Sequence, residues 1–353
     1  MGKRALHAGT APLTINGVIN CALRNYRDVT MVGPSTRFFE MCAGIWPAMP
    51  TPLDAQSNLD VDACKRLVVH VADGGASGLW LMGTGAGFAS LATRTRAAAI
   101  DAYFLANAGR LPVIVGVSDN SLDVIRENLS ALHSYEPIGV FATAPYYFRY
   151  DEEDVVRFFR QIADASPFPF VIYHNETNTK TSLTIPVVRE LSQHDNIVGI
   201  KDSTCDLGYH LQLLAEFADR EDFRVISGDD YGVICGPAVG TKTFVAAAPL
   251  IAPDLVGALA RAVAVGDVAT SRRLQRLHSH LLQIYSLRSG SDSGFLAGQA
   301  TALALLGLTA GVTPEPCRPA SAEETEFVRS ALVSAGVVQP EQRQQSIPDN
   351  KEI

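Results

Sequence analysis

The sequence predicts an α/β fold, a (β/α)8 barrel carrying a C-terminal helical appendage. Three observations point there. Eight short apolar runs alternate with segments of helical periodicity between Gly44 and about residue 265. Intervening segments open with carboxylates that suit a helix N-terminus, so each run is followed by a helix and the strands pair in parallel through right-handed crossovers. A chain of 353 residues holds one barrel of about 250 residues with appendages, or two ordinary domains. Eight strands close naturally into a barrel, with an open doubly wound sheet as the weaker alternative.

Residues 1–42 carry scattered polar, Gly and Pro residues without a sustained period and read as an N-terminal extension, ordered only by docking on the main body. The barrel occupies 43–265. Its strands are the runs 44–51, 77–83, 112–117, 138–144, 169–174, 196–202, 223–229 and 242–248. Helices are expected in the segments VDACKRLVVHVADGG, DNSLDVIRENLSALHSY and DEEDVVRFFRQIADAS, where apolar residues recur three and four apart. After about residue 253 the pattern is helical only, giving the last barrel helix and C-terminal helices over 266–338. The polar stretch 339–353, with two prolines, is expected to be a disordered tail.

A net charge of −8 lacks the basic excess that phosphate attraction needs, so neither nucleic acid nor an anionic membrane is an expected partner. No stretch approaches about 18 uninterrupted apolar residues, and the N-terminus has no apolar core of a secretion signal. The six cysteines lie far apart with no C-x-x-C pair, which suits reduced thiols in a cytoplasm.

A barrel places chemistry at the C-terminal ends of its strands, so the last residue of each run matters most. Lys201 stands out, an ammonium closing the apolar run Ile197-Val198-Gly199-Ile200. Burial at a strand end favours the free amine, which attacks carbonyls; the ordinary alternative is a lysine that emerges into solvent or pairs with Asp202. Tyr173 ends the preceding strand, 28 residues earlier, where its phenol could pass protons to a carbinolamine or simply pack its ring. The turn Gly83-Thr84-Gly85-Ala86-Gly87 follows a strand and precedes a helix, so its amides could cradle a carboxylate. It does not match a dinucleotide fingerprint. In His278-x-His280 the two rings point apart on a helix, which argues against a metal site.

Together these strand ends resemble the Schiff-base-forming lyases typified by dihydrodipicolinate synthase and N-acetylneuraminate lyase. The resemblance rests on Gly83-Thr84, Pro145-Tyr146-Tyr147, the run ending in Tyr173, Gly199-Ile200-Lys201-Asp202 and Ser227-Gly228-Asp229-Asp230, in family order over about residues 43–310. It implies that Lys201 forms the imine, that Tyr173 transfers protons, and that Tyr147 is shared across a tight dimer. By the same likeness Thr84 and Gly85 hold the 2-oxo acid carboxylate and Val245 lines the imine pocket. No cofactor or metal is implied beyond the covalent imine on Lys201.

The sequence departs from the family where specificity is set. Gly85-Ala86-Gly87 stands where a second Thr and Gly-Glu are usual. Asn178 stands where synthases acting on aspartate semialdehyde have an arginine, and an amide cannot replace a guanidinium against a carboxylate. Lys180, two residues on, is the nearest cation that could compensate. The expected activity is therefore a cytoplasmic carbon–carbon or carbon–oxygen lyase working on a pyruvate-derived 2-oxo acid and an aldehyde, and not condensation of aspartate semialdehyde. Its substrates would be 2-oxo-3-deoxy sugar acids or aryl-substituted pyruvates, and its assembly a homodimer or homotetramer. Two rival readings remain: a barrel using a divalent metal at Asp202, Asp229 and Asp230, and an altered paralogue that binds a 2-oxo acid without turnover.

Overall fold

The computed structural model describes residues 33–339. The expected tail, apart from its first residue, and most of the expected N-terminal extension lie outside the described residues. Eight strands form one parallel sheet: β1 (Gly44–Pro47), β2 (Leu79–Leu81), β3 (Val113–Gly116), β4 (Gly139–Thr143), β5 (Phe170–His174), β6 (Ile197–Asp202), β7 (Arg224–Ser227) and β8 (Thr243–Ala246). All eight predicted runs contain their strand. The order is β1-β8-β7-β6-β5-β4-β3-β2. The ring closes through a parallel bridge between Ala48 and Trp80, with Met49 N donating to Trp80 O at 3.0 Å. The bridge leaves the sheet nearly closed, which is the predicted barrel.

The helices begin where carboxylates accept from their first free amides. Asp60 caps Val61–Asp73, Asp151 caps Glu152–Ala165 and Asp206 caps Leu207–Glu216. Alternation along the strands separates two cores. Trp46, Trp80, Ile114, Phe141, Val171 and Ile226 fill the barrel interior, while the other strand faces pack against the helices. Past Pro253–Ala264, the C-terminal region is built from Val268–Leu282, Asp292–Leu305 and Ala322–Ser334. Glu324 ties it together: it completes a capping box with Ser321 and receives the Arg288 guanidinium at 3.0 and 3.1 Å.

One part of the expected extension belongs to the barrel. Residues Pro34–Met41 form a helix whose Phe38 is fully buried in the interior cluster. The ring lies where a side chain on Gly139 would meet it at 3.2 Å, at the N-terminal end of β4. Arg224, at the start of β7, covers Phe39 from 5.7 Å. This helix plugs the end of the barrel opposite the site. Eight residues hold too few apolar repeats to register as a period.

Among the described residues no helix is long and apolar enough to cross a membrane. The five described cysteines are unpaired.

Candidate active site

The C-terminal strand ends enclose a cavity of about 210 Å3. Lys201, Tyr173, Thr84, Gly85, Asn178 and Val245 all line it. A larger, shallower depression of about 580 Å3 lies near Asp101, Val113 and Glu136, at the N-terminal end of β3 and far from this chemistry.

A β-bulge aims the lysine. Phe170 pairs with Ile197, but Val171 pairs with Gly199, so Val198 is an extra residue in β6. Val198 packs in the barrel interior, Ile200 on the outer face, and Lys201 lines the inner cavity. Simple alternation from Val198 would have turned Lys201 outward. Gly199 makes the shift possible, since a Cβ there would meet Arg224 O at 2.3 Å. Lys201 consequently stands directly beside Tyr173 in register, 5% exposed, with Nζ 3.8 Å from the tyrosine ring centroid.

Asp202 does not neutralise this lysine. Its Oδ2 meets His210 Nδ1 at 3.0 Å, and its Oδ1 accepts from Thr204 N at 3.0 Å and Thr204 Oγ1 at 2.7 Å. Burial would raise the Asp202 carboxyl, but the bonds from His210 and Thr204 hold it below the ordinary range. Lys201 Nζ donates instead to Ser203 Oγ at 2.9 Å.

Around the Tyr173 hydroxyl, Thr84 Oγ1 lies at 3.0 Å and Asn175 Nδ2 donates at 3.2 Å. Burial pushes this phenol up, yet the Lys201 charge and the bonds with Thr84 and Asn175 outweigh it and bring the phenol below its usual value. A phenol made more acidic beside an amine can donate a proton to an oxygen placed between them. The glycine-rich turn is a short 3₁₀ segment, Thr84–Ala86, ended by Gly87 at φ 66°. Gln299 Nε2 reaches from the helix Asp292–Leu305 to Gly85 O at 2.8 Å and holds that turn in place.

The outer part of the cavity comes from elements far apart in sequence. Asn178 Nδ2 donates to Asp292 Oδ2 at 2.9 Å. Tyr285 and Phe295 stack with ring centroids 4.8 Å apart, and the Tyr285 hydroxyl is buried without a partner among the described residues. Asp230 accepts from Ala247 N and from Ala248 N, the latter at 2.7 Å. Burial raises the Asp230 carboxyl to about 6, against the pull of those two amides.

Two expected site residues stand apart from the cavity of their own chain. Tyr147 is 80% exposed and packs edge-on to Phe148, itself 63% exposed. Lys180 is exposed, and its ammonium donates to the carbonyl of Thr177. Its left-handed backbone, φ 58°, ends the single helical turn Glu176–Thr179 and carries the side chain away from the cavity. The triad of Asp202, Asp229 and Asp230 does not converge either, since Asp202 faces His210 while Asp230 caps β8. Among the described residues, no group of three or more His, Cys, Asp or Glu side chains could hold a metal ion. Both ring nitrogens of His278 are buried and unpartnered, and burial lowers it to about 4.

Asn175 and Ser203 follow Tyr173 and Lys201 by two residues each, so a search along the loops would have found them. Gln299 and Asp292 gave no such signal.

Comparison with known proteins agrees with this geometry. The dihydrodipicolinate synthetase family matches residues 41–335. The chain is 28% identical over 299 residues, 85% of its length and 100% of the relative's, to a 4-hydroxy-tetrahydrodipicolinate synthase of Methanococcoides burtonii. It is 27% identical over 297 residues, 84% of its length and 94% of the relative's, to an uncharacterised DapA-like lyase of Halobacterium salinarum. Its fold is similar to that of dihydrodipicolinate synthase from Bacteroides thetaiotaomicron, with a TM-score of 0.78, 26% identity, and coverage of 82% of this chain and 98% of the other.

Proposed function

This chain belongs to the dihydrodipicolinate synthetase family, and we propose that it is a lyase that makes or breaks a bond in a pyruvate-derived 2-oxo acid through an imine on Lys201. The observation that carries this reading is the register of Tyr173 against Lys201 at the floor of one cavity, with Thr84 on the phenol.

In this mechanism the Lys201 nitrogen attacks the ketone carbon, and the carbonyl oxygen takes a proton from the Tyr173 side. Loss of that oxygen as water leaves a protonated imine. Overall, an ammonium and a ketone give an iminium and water, with no net proton change. The iminium then draws the electron pair of a bond at the neighbouring carbon, giving an enamine. No separate cofactor is needed, because the iminium is the electron sink. Thr84 and Gly85 hold the 2-oxo acid carboxylate, Thr84 with its hydroxyl and both with their amides, and Val245 packs beside the imine.

The acceptor side supports an aldehyde without a carboxylate. Asn178 offers no positive charge there, Lys180 faces away, and Asp292 and Asp230 add negative charge to the lining. A bound carboxylate would lose its hydration without a cationic partner. Hydroxylated substrates such as 2-oxo-3-deoxy sugar acids fit the amide, carboxylate and phenol groups; aryl-substituted pyruvates fit the Tyr285 and Phe295 rings. Exposed Tyr147, Phe148 and Tyr150 suit burial against a second copy in a homodimer or homotetramer.

The test is pyruvate release from a panel of 2-oxo-3-deoxy sugar acids and aryl-pyruvate aldol adducts. Turnover that disappears in Lys201→Ala and survives chelation supports the imine lyase. Binding of 2-oxo acids without turnover of any panel member would instead identify a paralogue that has kept only the pocket.

A further inference from the structure

The hydrogen bond from Lys201 to Ser203 has no place in the mechanism above, which uses Tyr173 for the ketone oxygen and Thr84 with Gly85 for the carboxylate. We propose that Ser203 is the positioning residue for the Lys201 nitrogen, holding its trajectory before condensation and the plane of the imine afterwards. This rests on the imine reading of Lys201.

The hydroxyl is unusually well fixed for a loop residue. Its backbone N donates to His174 O at 2.9 Å, tying the loop to β5, while Gly228 N donates to Asp202 O at 2.6 Å and ties it to β7. The next residue, Thr204, is clamped to Asp202 through both N and Oγ1. Asp202 is itself held by His210, whose other ring nitrogen meets Thr241 Oγ1 at 3.0 Å. Gly228 leaves the room: a Cβ there would meet Ser203 Oγ at 2.0 Å and Lys201 Cε at 3.0 Å. The Ser203 hydroxyl has its own acceptor in Gly228 O, at 3.4 Å, which turns a lone pair toward Nζ at 2.9 Å.

Proton counting gives this contact a purpose. Two of the three ammonium protons leave in the water released by condensation, and one stays on the iminium nitrogen. Ser203 Oγ is the acceptor already in place for that proton. It sets rotation about the Cε–Nζ bond, and with it the face of the imine turned toward Tyr173 and Thr84. An acceptor fixed before the reaction costs no reorganisation during it.

The experiment mixes full-length protein with pyruvate, quenches with borohydride at timed intervals, and measures reduced adduct on Lys201 by peptide mapping. Ser203→Ala and Ser203→Cys are compared with wild type; the thiol nearly fills the same space but is a weak acceptor. Both variants are expected to form adduct on the order of 10- to 100-fold more slowly at saturating pyruvate. The pyruvate concentration giving half the maximal rate should stay unchanged, because the carboxylate site is intact. Wild-type rates in both variants overturn the proposal. So does a slow alanine variant beside a wild-type-like cysteine variant, which would make the role one of packing. Absence of adduct in the wild-type protein would instead remove the imine reading itself.

Discussion

Asn178 and Asp292, 114 residues apart in the chain, meet at 2.9 Å across the mouth of the cavity. The contact joins the turn after β5 to the first residue of the helix Asp292–Leu305, so the barrel and the C-terminal helices share the acceptor end of the site. It also means that the side chain at position 178 is read together with a carboxylate.

Acceptor choice should follow from that pair. Wild-type kcat/KM for an aldehyde bearing a carboxylate is expected to be on the order of 10²-fold below that for a neutral aldehyde of similar size, with pyruvate as donor. Asn178→Arg alone should recover little, because the guanidinium would pair with Asp292. Adding Asp292→Asn should free it and raise activity toward the charged aldehyde. Equal turnover of charged and neutral aldehydes by the wild type would show that the acceptor carboxylate sits elsewhere.

Removing the Tyr173 hydroxyl takes away the proposed proton donor next to the lysine while leaving the ring that packs against Phe141 at 5.7 Å. Tyr173→Phe should fold normally and form the imine about 10²- to 10⁴-fold more slowly. The check is rapid-quench measurement of adduct formation, with circular dichroism as the control for folding. An unchanged rate would take the phenol out of the reaction.

Much of this site was legible in the sequence, and what was missed had physical reasons. Apolar runs bounded by polar turns marked every strand, and a spacing of one βα unit made Tyr173 and Lys201 neighbours. Strand alternation could not reveal the extra residue at Val198, because a bulge shows only in pairing, and that bulge decides which way Lys201 points. The left-handed turn end at Lys180, which brings its ammonium to Thr177 O, is likewise invisible to a pattern that reads the loop as extended. Asp292 and Gln299 arrive from 114 and 214 residues away, a distance that no local pattern encodes.

The plug helix predicts a stability effect far from the chemistry. Phe38 is fully buried in the barrel interior, so Phe38→Ala should cost about 3–5 kcal/mol of unfolding free energy. Urea denaturation of both proteins measures it. A loss below about 1 kcal/mol, the scale of a surface change, would show that the helix only decorates the barrel.

Asp230 gives the fold a pH dependence of known sign. Its carboxyl titrates at about 6 in the folded protein, above the ordinary value of about 3.9, so the folded state favours the protonated form. The associated stability is complete below about pH 4 and is lost as pH rises through about 6. Allowing for its partial exposure, the amount is about 1–2 kcal/mol. Asp230→Asn keeps an acceptor oxygen for Ala247 and Ala248 without the charge. Its unfolding free energy relative to wild type should therefore rise by that amount between pH 4 and pH 7. A difference that stays constant over this range would contradict the assignment.

The covalent bond proposed between Lys201 and a 2-oxo acid can be trapped directly. Full-length protein is incubated with pyruvate and borohydride, and each lysine-containing peptide is weighed, with protein treated without pyruvate as the control. Loss of activity is expected together with a reduced pyruvyl adduct on the peptide carrying Lys201, and none on the peptide carrying Lys180. An unmodified Lys201 peptide, under conditions that label an imine-forming aldolase run alongside, would contradict it.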